Sequence, residues 1–192
     1  LPNIACHSIA FADQQAAYKA TEFLTDQGHT EIAFIKGPDS SASAKERLSG
    51  FLACCQQQGI TVPEEWLVDP GTTEKERHEA IFSMLQDPVK RPSAVFCFND
   101  LLAVSVYKAA HELQIRIPQD LSVVGFDDIE IASLLGPSLT TVRTDSYRVG
   151  VEAAKMILSD LQGSAESFKD VLHTPELVIR NSVSKAKVRT VI

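Results

Sequence analysis

Short apolar runs alternate with longer amphipathic stretches along most of the chain. The apolar runs predict strands at residues 4–11, 31–37, 64–69, 93–98, 121–126 and 139–144. Apolar residues at helical spacing predict a short helix through Leu135 and longer helices after Asp13 and at residues 44–58, 75–86, 100–113 and 146–162. One or two closing strands are expected between Val171 and Arg180.

This alternation is typical of an α/β fold with a mainly parallel sheet. The runs AVFCF at 94–98 and SVVGF at 122–126 are almost entirely apolar, which suits strands buried on both faces. Asp13 is placed to cap the helix that follows it. Residues 184–192 carry three cations and little pattern, so we expect a mobile tail there.

Composition narrows the class of protein. The chain has 192 residues, 44% hydrophobic and 22% charged, and its formal net charge of −7 argues against a nucleic-acid or membrane surface. No apolar run reaches the roughly 18 residues of a membrane span, and the first residues lack a signal-peptide pattern. The cysteines form no CxxC pair, so we expect them to be reduced in a cytoplasmic protein; they are Cys6, Cys54, Cys55 and Cys97.

Polar residues follow three of the predicted strands, each time before a predicted helix. They are Ser41, Ser43 and Arg47 after the first strand, Asn99 and Asp100 after the second, and Asp127 and Asp128 after the third. In open α/β sheets, ligands bind outside the carboxyl ends of the strands. Carboxylate, amide and guanidinium groups suit a ligand with several hydroxyls. We therefore expect a polar binding site, with Asp127 near Arg47 so that each offsets the desolvation of the other.

Most of these residues also have a purely structural interpretation. The residues that could simply cap helices are Ser41, Ser43, Asn99, Asp100 and Asp128. We expect Asp128 to cap a helix starting at Ile129. Arg47 is different, because a cation in the first turn of a helix opposes the helix dipole. This makes Arg47 the better candidate for a ligand contact.

Signals for catalysis are weak. The chain has no GxSxG, GxxxxGK[ST] or GxGxxG motif. Asp127 and Asp128 could form a catalytic or magnesium-binding pair, but no third acid or positioned base accompanies them. The five histidines do not pair at metal-ligand spacing. We therefore expect no catalytic residues, no metal and no cofactor.

At these residues the chain resembles the LacI/GalR-type family of bacterial transcriptional repressors. The resemblance covers about residues 1–183 and is carried by GHTEIAFIKGPDSSASAKERLSGF, RPSAVFCFNDLLAVSVYKAAHEL, IRIPQDLSVVGFDDIEIASLLGPSLTTV and ELVIRNSV. The most specific part is IPQDLSVVGFDD followed by PSLTTV. Within the family, FDDIEIAS and SLTTV look closest to ribose-repressor-like members.

The resemblance implies a fold like that of type I periplasmic binding proteins, a parallel-sheet sandwich of two subdomains with the effector between them. The effector contacts that it implies are Ser41, Ser43, Arg47, Thr72, Asn99, Asp127 and Thr144. Thr144 would lie on a crossover beside the cleft. Thr72 falls where several relatives have an aromatic residue that stacks on the effector. Threonine cannot stack, so a flat purine ring is less expected.

The resemblance also implies how the chain is divided. Residues 1–11 and 145–168 would belong to an incomplete N-terminal subdomain. Residues 12–142 and 171–183 would form the C-terminal subdomain, followed by the tail at 184–192. Family members begin with a helix-turn-helix head that contacts operator DNA. Neither that head nor the first part of the first subdomain is recognised in this chain, which would then be a fragment.

Members of the family are expected to be homodimers. The candidate dimer face comes from helix 101–113 and the apolar turn after Ile129, and its residues are Leu101, Leu102, Ser105, Ile131, Leu134 and Leu135. The alternative is that these apolar side chains belong to the core.

We therefore expect the effector-sensing domain of a sugar-responsive repressor that controls operator binding allosterically. A pentose such as ribose is the favoured effector. A periplasmic-type sugar-binding protein of a transport system is the first alternative, and the free cysteines argue against it. A sugar-processing enzyme is the second, and it lacks a nucleophile–base pair.

Overall fold

The computed structural model describes residues 6–162 and 168–187, in which helices and strands alternate. The helices are α1 Asp13–Asp26, α2 Ala42–Gln57, α3 Glu74–Leu85, α4 Asp100–Glu112, α5 Glu130–Leu134 and α6 Ser146–Leu161. The strands are β1 Ser8–Phe11, β2 Ile32–Ile35, β3 Leu67–Val68, β4 Ala94–Cys97, β5 Ser122–Asp127, β6 Thr140–Arg143, β7 Asp170–His173 and β8 Glu176–Val178. The parts of our predictions that fall on residues 1–5, 163–167 and 188–192 lie outside the described residues.

Six strands form one sheet in the order β3-β2-β4-β5-β6-β8. Neighbouring strands are parallel, except that β8 runs antiparallel to β6. The strand order reverses at β2, because β3 lies on one side of it and the later strands on the other. This is the order of doubly wound sheets of the flavodoxin type. The predicted α/β fold with a mainly parallel sheet is confirmed.

Helices cover both faces of this sheet. On one face α1 and α2 enclose an aromatic cluster, in which the ring of Phe34 lies 5.1 Å from that of Phe51 and 5.3 Å from that of Phe96. On the other face α3 and α4 pack through residues such as Ile81 and Val106. Burying each such side chain contributes about 1.5–3 kcal/mol. Burial on two faces explains why β2 and β4 are apolar at every position.

Strands β1 and β7 form a separate two-stranded parallel sheet, and α6 lies beside it. His7 contacts Asp160 at 3.0 Å, and His173 contacts Glu152 at 2.9 Å. Strand β7 thus lies outside the large sheet, whereas we expected residues 171–183 to belong with residues 12–142 to one subdomain. Pro175 interrupts the extended segment, because proline has no N–H to donate to a strand ladder. Before it β7 pairs with β1, and after it β8 joins the large sheet.

The expected tail is held in place over residues 184–187. The amide of Ala186 donates to the Gln27 carbonyl at 2.9 Å, and Lys187 pairs with Asp120 at 3.0 Å. The buried ring of His29 lies 3.0 Å from the Ser184 carbonyl oxygen. The prediction of a mobile tail was wrong for these four residues because their backbone and side chains pair with the large sheet and its loops.

Candidate functional site

A cavity of about 930 Å³ opens at the carboxyl edge of the large sheet. The segments that follow β2, β3 and β4 form most of its wall, and the lining residues are Lys36 to Ser40, Asp69 to Thr72, Glu76, Arg77, Phe98, Asn99, Leu101 and Leu102. The cavity therefore lies where the strand order reverses, which is the usual ligand site of a doubly wound sheet. Its volume is in the range of small-molecule sites.

Arg47 is buried next to this cavity, with only 6% of its surface exposed. Its Nη1 donates to the carbonyl oxygen of Phe98 at 2.7 Å, and its Nη2 lies 3.2 Å from Asp127 Oδ1. Its Nε donates to Asp13 Oδ2 at 3.3 Å. The guanidinium also stacks on the Phe126 ring, with Cζ 3.6 Å from the centroid. The structure thus brings Arg47 and Asp127 together and connects them to the cavity through Phe98.

The local position of Arg47 differs from our expectation. Helix α2 begins at Ala42, so Arg47 lies in its second turn and not its first. The argument from the helix dipole therefore loses its force. Burial of a cation between two carboxylates is the observation that now marks Arg47 as unusual.

Arg47, Asp127 and Asp13 form one charged cluster. The sequence pattern did not predict that Asp13 belongs to it. Ala12 occupies the N-cap position of α1, without a side-chain cap, and the Asp13 side chain turns to Arg47. Helices α1 and α2 come this close because residue 50 is glycine: a Cβ there would collide with the Gln14 carbonyl oxygen. An aspartate at a helix start looks the same in sequence whether it caps the helix or pairs with a distant arginine.

Asp127 is the most reachable charged group of the cluster, with 32% of its side chain exposed. Its φ of 103° is uncommon for a residue other than glycine, although Asp127 is still paired with Arg143 of β6. Burial raises the pKa of Asp127, and the charge and hydrogen bond of Arg47 oppose this only in part. Such a carboxylate can accept hydrogen bonds from ligand hydroxyls.

Asp128 faces a different set of partners. It does not cap α5, whose N-cap Ile129 has no side-chain hydrogen bond. Its two oxygens accept from Arg143 Nε at 2.7 Å and from Arg180 Nη2 at 2.6 Å. Burial raises the pKa of Asp128, but the two arginines outweigh burial and leave that pKa below the ordinary value. The capping prediction was wrong because two cations on β6 and after β8 bind this carboxylate more strongly than backbone amides would.

Asp100 lies beneath this turn and does not face the cavity. Its fully buried carboxylate accepts from the Thr141 hydroxyl at 2.6 Å and from the Ile129 amide at 2.9 Å. Gly125 makes room for it, since a Cβ there would collide with the Asp100 carboxylate. Burial raises the pKa of Asp100 to about 6 despite these hydrogen bonds. We therefore remove Asp100 from the candidate contacts and assign it a structural role.

Two predicted contacts line the cavity. Asn99 Oδ1 accepts from the Leu102 amide at 3.0 Å, so this residue caps α4 as well. Thr72 lies at the cavity wall, where its amide and hydroxyl donate to Glu76 Oε2 at 2.8 Å and 3.2 Å. The cap uses only the oxygen of the Asn99 amide. Its NH₂ group is the part that a ligand could engage.

The remaining predicted contacts lie at the border of the site. Ser41 caps α2 by accepting from the Ala44 amide at 3.2 Å, which matches the structural interpretation. Ser43 is half-buried in the first turn of α2. Thr144 follows β6, and its hydroxyl donates to the Asp127 carbonyl oxygen at a long 3.4 Å. Thr144 therefore touches the backbone of the cluster from the crossover into α6.

The candidate dimer residues divide into two groups. Leu101, Ile131 and Leu134 are exposed, and Leu134 has 72% of its surface in solvent. Ser105 lies on the same helix as Leu101 and donates to its carbonyl oxygen. Leu102 is buried in the core and Leu135 packs against it, so the core interpretation holds for these two. The exposed group is the part of the predicted face that remains available for an interface.

Other chemistry receives little support in the described part of the chain. No group of three or more His, Cys, Asp or Glu side chains there is arranged to hold a metal ion. No helix in residues 6–162 and 168–187 combines the length and apolar character needed to cross a bilayer. Burial raises the pKa of the Cys54 and Cys55 thiols, to about 11 and about 12, which keeps them protonated and poorly nucleophilic.

The sheet order and the charged cluster beside the cavity define a ligand-binding domain of the doubly wound α/β class. Comparison with known proteins assigns it further. Residues 21–183 match the family described as a periplasmic binding protein-like domain, and the chain belongs to this family.

Curated relatives specify the branch of the family. The HTH-type transcriptional repressor PurR of Vibrio vulnificus is 35% identical over 172 residues, which are 90% of this chain and 51% of the relative. PurR of Proteus mirabilis is 37% identical over 167 residues, 87% of this chain and 49% of the relative. The chain spans about half the length of the curated relatives it matches.

Solved structures give the same result. A regulatory protein of the LacI family from Chloroflexus aggregans superposes with a TM-score of 0.87 at 26% identity, over 97% of this chain and 66% of that one. A LacI family transcriptional regulator from Enterococcus faecium, solved with bound ribose, gives 0.83 at 25% identity, over 94% and 67%. The resemblance to LacI/GalR-type effector-binding domains and the type I binding-protein fold are confirmed.

Proposed function

We propose that this chain is the effector-sensing domain of a cytoplasmic transcriptional repressor that binds a small sugar or a related metabolite. One observation carries the proposal: the buried guanidinium of Arg47 holds the reachable carboxylate of Asp127 beside a cavity of about 930 Å³. A carboxylate held in this way accepts hydrogen bonds from two neighbouring hydroxyls, and the Asn99 amide, which lines the cavity, can donate as well.

The effector is an uncharged polyol in this proposal, with a pentose such as ribose favoured. The Enterococcus faecium regulator solved with ribose supports this choice. The candidate contacts remain Ser41, Ser43, Arg47, Thr72, Asn99, Asp127 and Thr144. Thr72 offers a hydroxyl where an aromatic ring would be needed to stack on a flat base, which makes a purine the weaker candidate.

The division into subdomains explains how binding could be transmitted. In the proposed arrangement β1, α6 and β7 belong to the N-terminal subdomain and the six-stranded sheet to the other. Helix α6 has no buried residue, and four of its apolar side chains, Val151, Ile157, Leu158 and Leu161, are exposed. This face would pack against the rest of that subdomain. An effector that binds one subdomain orientation better than the other would then bias operator binding by a separate DNA-binding head.

We further propose that the protein is a homodimer and has no catalytic activity. Leu101, Ile131 and Leu134 form the exposed part of the candidate interface. The relatives are transcriptional repressors, which favours this function over that of a transport protein with the same fold. Leu134→Glu should shift the intact protein towards monomer in analytical ultracentrifugation. Val89→Glu, which changes another exposed side chain, should leave the dimer unchanged.

Calorimetric titration of the intact protein with free and phosphorylated pentoses and hexoses tests the proposal. We expect a free sugar to bind, and Arg47→Ala and Asp127→Ala to weaken its binding by more than tenfold. Arg116→Ala is the matched control, since it breaks an exposed arginine–aspartate pair, with Nε–Oδ2 at 2.6 Å, away from the cavity. If both cluster variants bind the sugar as the wild type does, the site assignment is wrong.

A further inference from the structure

The electrostatics of the cluster depend on Asp13, a residue to which no effector contact is assigned above. Arg47 supplies one positive charge and contacts two carboxylates, Asp13 at 3.3 Å and Asp127 at 3.2 Å. Asp13 is 3% exposed, and its Oδ1 atom has no hydrogen-bond partner among the residues that the structure describes. The negative charge of this buried group is therefore only partly compensated.

The cavity wall has the same balance of charge. Its charged residues are two cations, Lys36 and Arg77, and three acids, Asp39, Asp69 and Glu76. The wall and the cluster are thus both net negative. A phosphate or carboxylate group placed at Arg47 would meet two carboxylates, Asp13 and Asp127, each already within 3.3 Å of the guanidinium. A hydroxyl would instead donate to Asp127 and need no compensating cation.

We infer that Asp13 is a specificity-determining residue: its buried charge leaves the Arg47 cluster net negative, so that the cluster selects uncharged hydroxyl groups and rejects phosphate esters. This inference rests on the proposed effector site and specifies the class of compound that the site takes. Asp13 acts through Arg47 and is a positioning residue in this role. Its effect should therefore appear in the preference between ligands and not only in their affinity.

Asp13→Asn is the decisive variant, because it keeps the size of the side chain and removes its charge. We expect the ratio of the affinities for ribose 5-phosphate and ribose to rise about tenfold or more in the intact protein. Asp26→Asn is the matched control, since it removes a charge from the exposed end of the same helix and should leave the ratio unchanged. Equal weakening of both ligands by Asp13→Asn would reduce Asp13 to a structural support and overturn the inference.

Inorganic phosphate separates this inference from the proposed function. At constant ionic strength, phosphate should raise the melting temperature of Asp13→Asn more than that of the wild type. The added effect should disappear in Asp13→Asn/Arg47→Gln. If no sugar binds the wild type but phosphate behaves in this way, the proposed effector class fails while the role of Asp13 stands. If the wild type and Asp13→Asn respond equally to phosphate, the role of Asp13 is refuted.

Discussion

Asp127 and Asp128 are neighbours in the chain, yet their environments are electrostatic opposites. Asp127 shares one arginine with a second acid, Asp13. Asp128 has two arginines to itself, Arg143 and Arg180. Burial raises the pKa of both carboxyls. At Asp127 burial outweighs the single arginine and the pKa stays raised, whereas at Asp128 the two arginines outweigh burial and the pKa is lowered. Asp127 is left partly exposed with acceptor capacity for a ligand, whereas each oxygen of Asp128 already accepts from an arginine.

This difference arises from the backbone at the end of β5. Both residues have positive φ, 103° for Asp127 and 53° for Asp128, which sends consecutive side chains to different partners. One carboxylate turns to α2 beside the cavity, and the other to β6 and the segment after β8. A strained pair of residues persists only where its surroundings hold it. The arginines on the Asp128 side provide that support, and Asp127 is thereby held against Arg47.

The largest expected effect comes from removing the supporting carboxylate. Asp128→Ala leaves Arg180, which is mostly buried, without its counter-ion, and should lower the free energy of unfolding by about 3 kcal/mol. Urea denaturation measures this change. Asp127→Ala should have a much smaller effect on stability, because Asp127 is partly exposed and Arg47 keeps Asp13. Equal losses in the two variants would remove the distinction between a supporting and a ligand-binding carboxylate.

Asp100, beneath the same turn, gives the next largest effect. Its pKa is about 6 in the folded chain, against an ordinary value of 3.8, so the folded chain binds the proton more tightly. The free energy of unfolding should therefore fall as pH rises from 4 to 6, by about 2 kcal/mol from this group. Well below pH 3.8 both states are protonated at this group, and well above pH 6 both are ionised, so the contribution no longer changes with pH there.

Asp100→Asn should abolish this contribution. The stability of the variant minus that of the wild type should increase by about 2 kcal/mol between pH 4 and pH 6.5, because only the wild type loses the protonated carboxyl. Chemical denaturation of both proteins across this range, compared pairwise at each pH, cancels the other titrating groups. A difference that stays constant with pH would show that burial does not raise the pKa of Asp100.

Gly50 lets α1 and α2 approach closely enough for Asp13 to contact Arg47. Gly50→Ala would push α1 from α2, and we expect a loss of about 1–2 kcal/mol from overpacking. Weaker effector binding should accompany it, because Asp13 would move away from Arg47. Gln56→Ala is the control, because residue 56 is exposed on the same helix as Gly50 and the change should be nearly neutral. Equal stability of the two variants would contradict close packing at Gly50.

The fold was predictable because its signals are local. Two-sided burial makes β2, β4 and β5 apolar, and amphipathic spacing marks the helices between them, so the strand–helix order could be read directly. Pairing between strands far apart in sequence has no such signal. The sequence therefore did not reveal that β7 pairs with β1, or that Ala186 bonds back to Gln27.

The site was predictable only in part, for the same reason. Polar residues after Phe98 and Phe126 marked the edge of the sheet at which the cavity opens. The partners of the charged groups were not visible, since Arg47 is 34 residues from Asp13, and Arg180 is 52 residues from Asp128. Without these partners we assigned Asp13 and Asp128 by their helix-capping preference, and both assignments were wrong. A preference worth about 1 kcal/mol is readily outweighed by a buried ion pair.

The smallest expected effect concerns Asn99, where a structural and a functional role coincide. Asn99→Ala removes the cap of α4 and should cost about 1 kcal/mol of stability and weaken effector binding. Asn99→Asp keeps the capping oxygen and should retain stability, but it replaces the amide donor with an acceptor. If binding falls in both variants while stability falls only in the alanine one, Asn99 contacts the effector. If Asn99→Asp binds the sugar normally, Asn99 is only a helix cap, and Asp127 remains a proposed ligand contact without it.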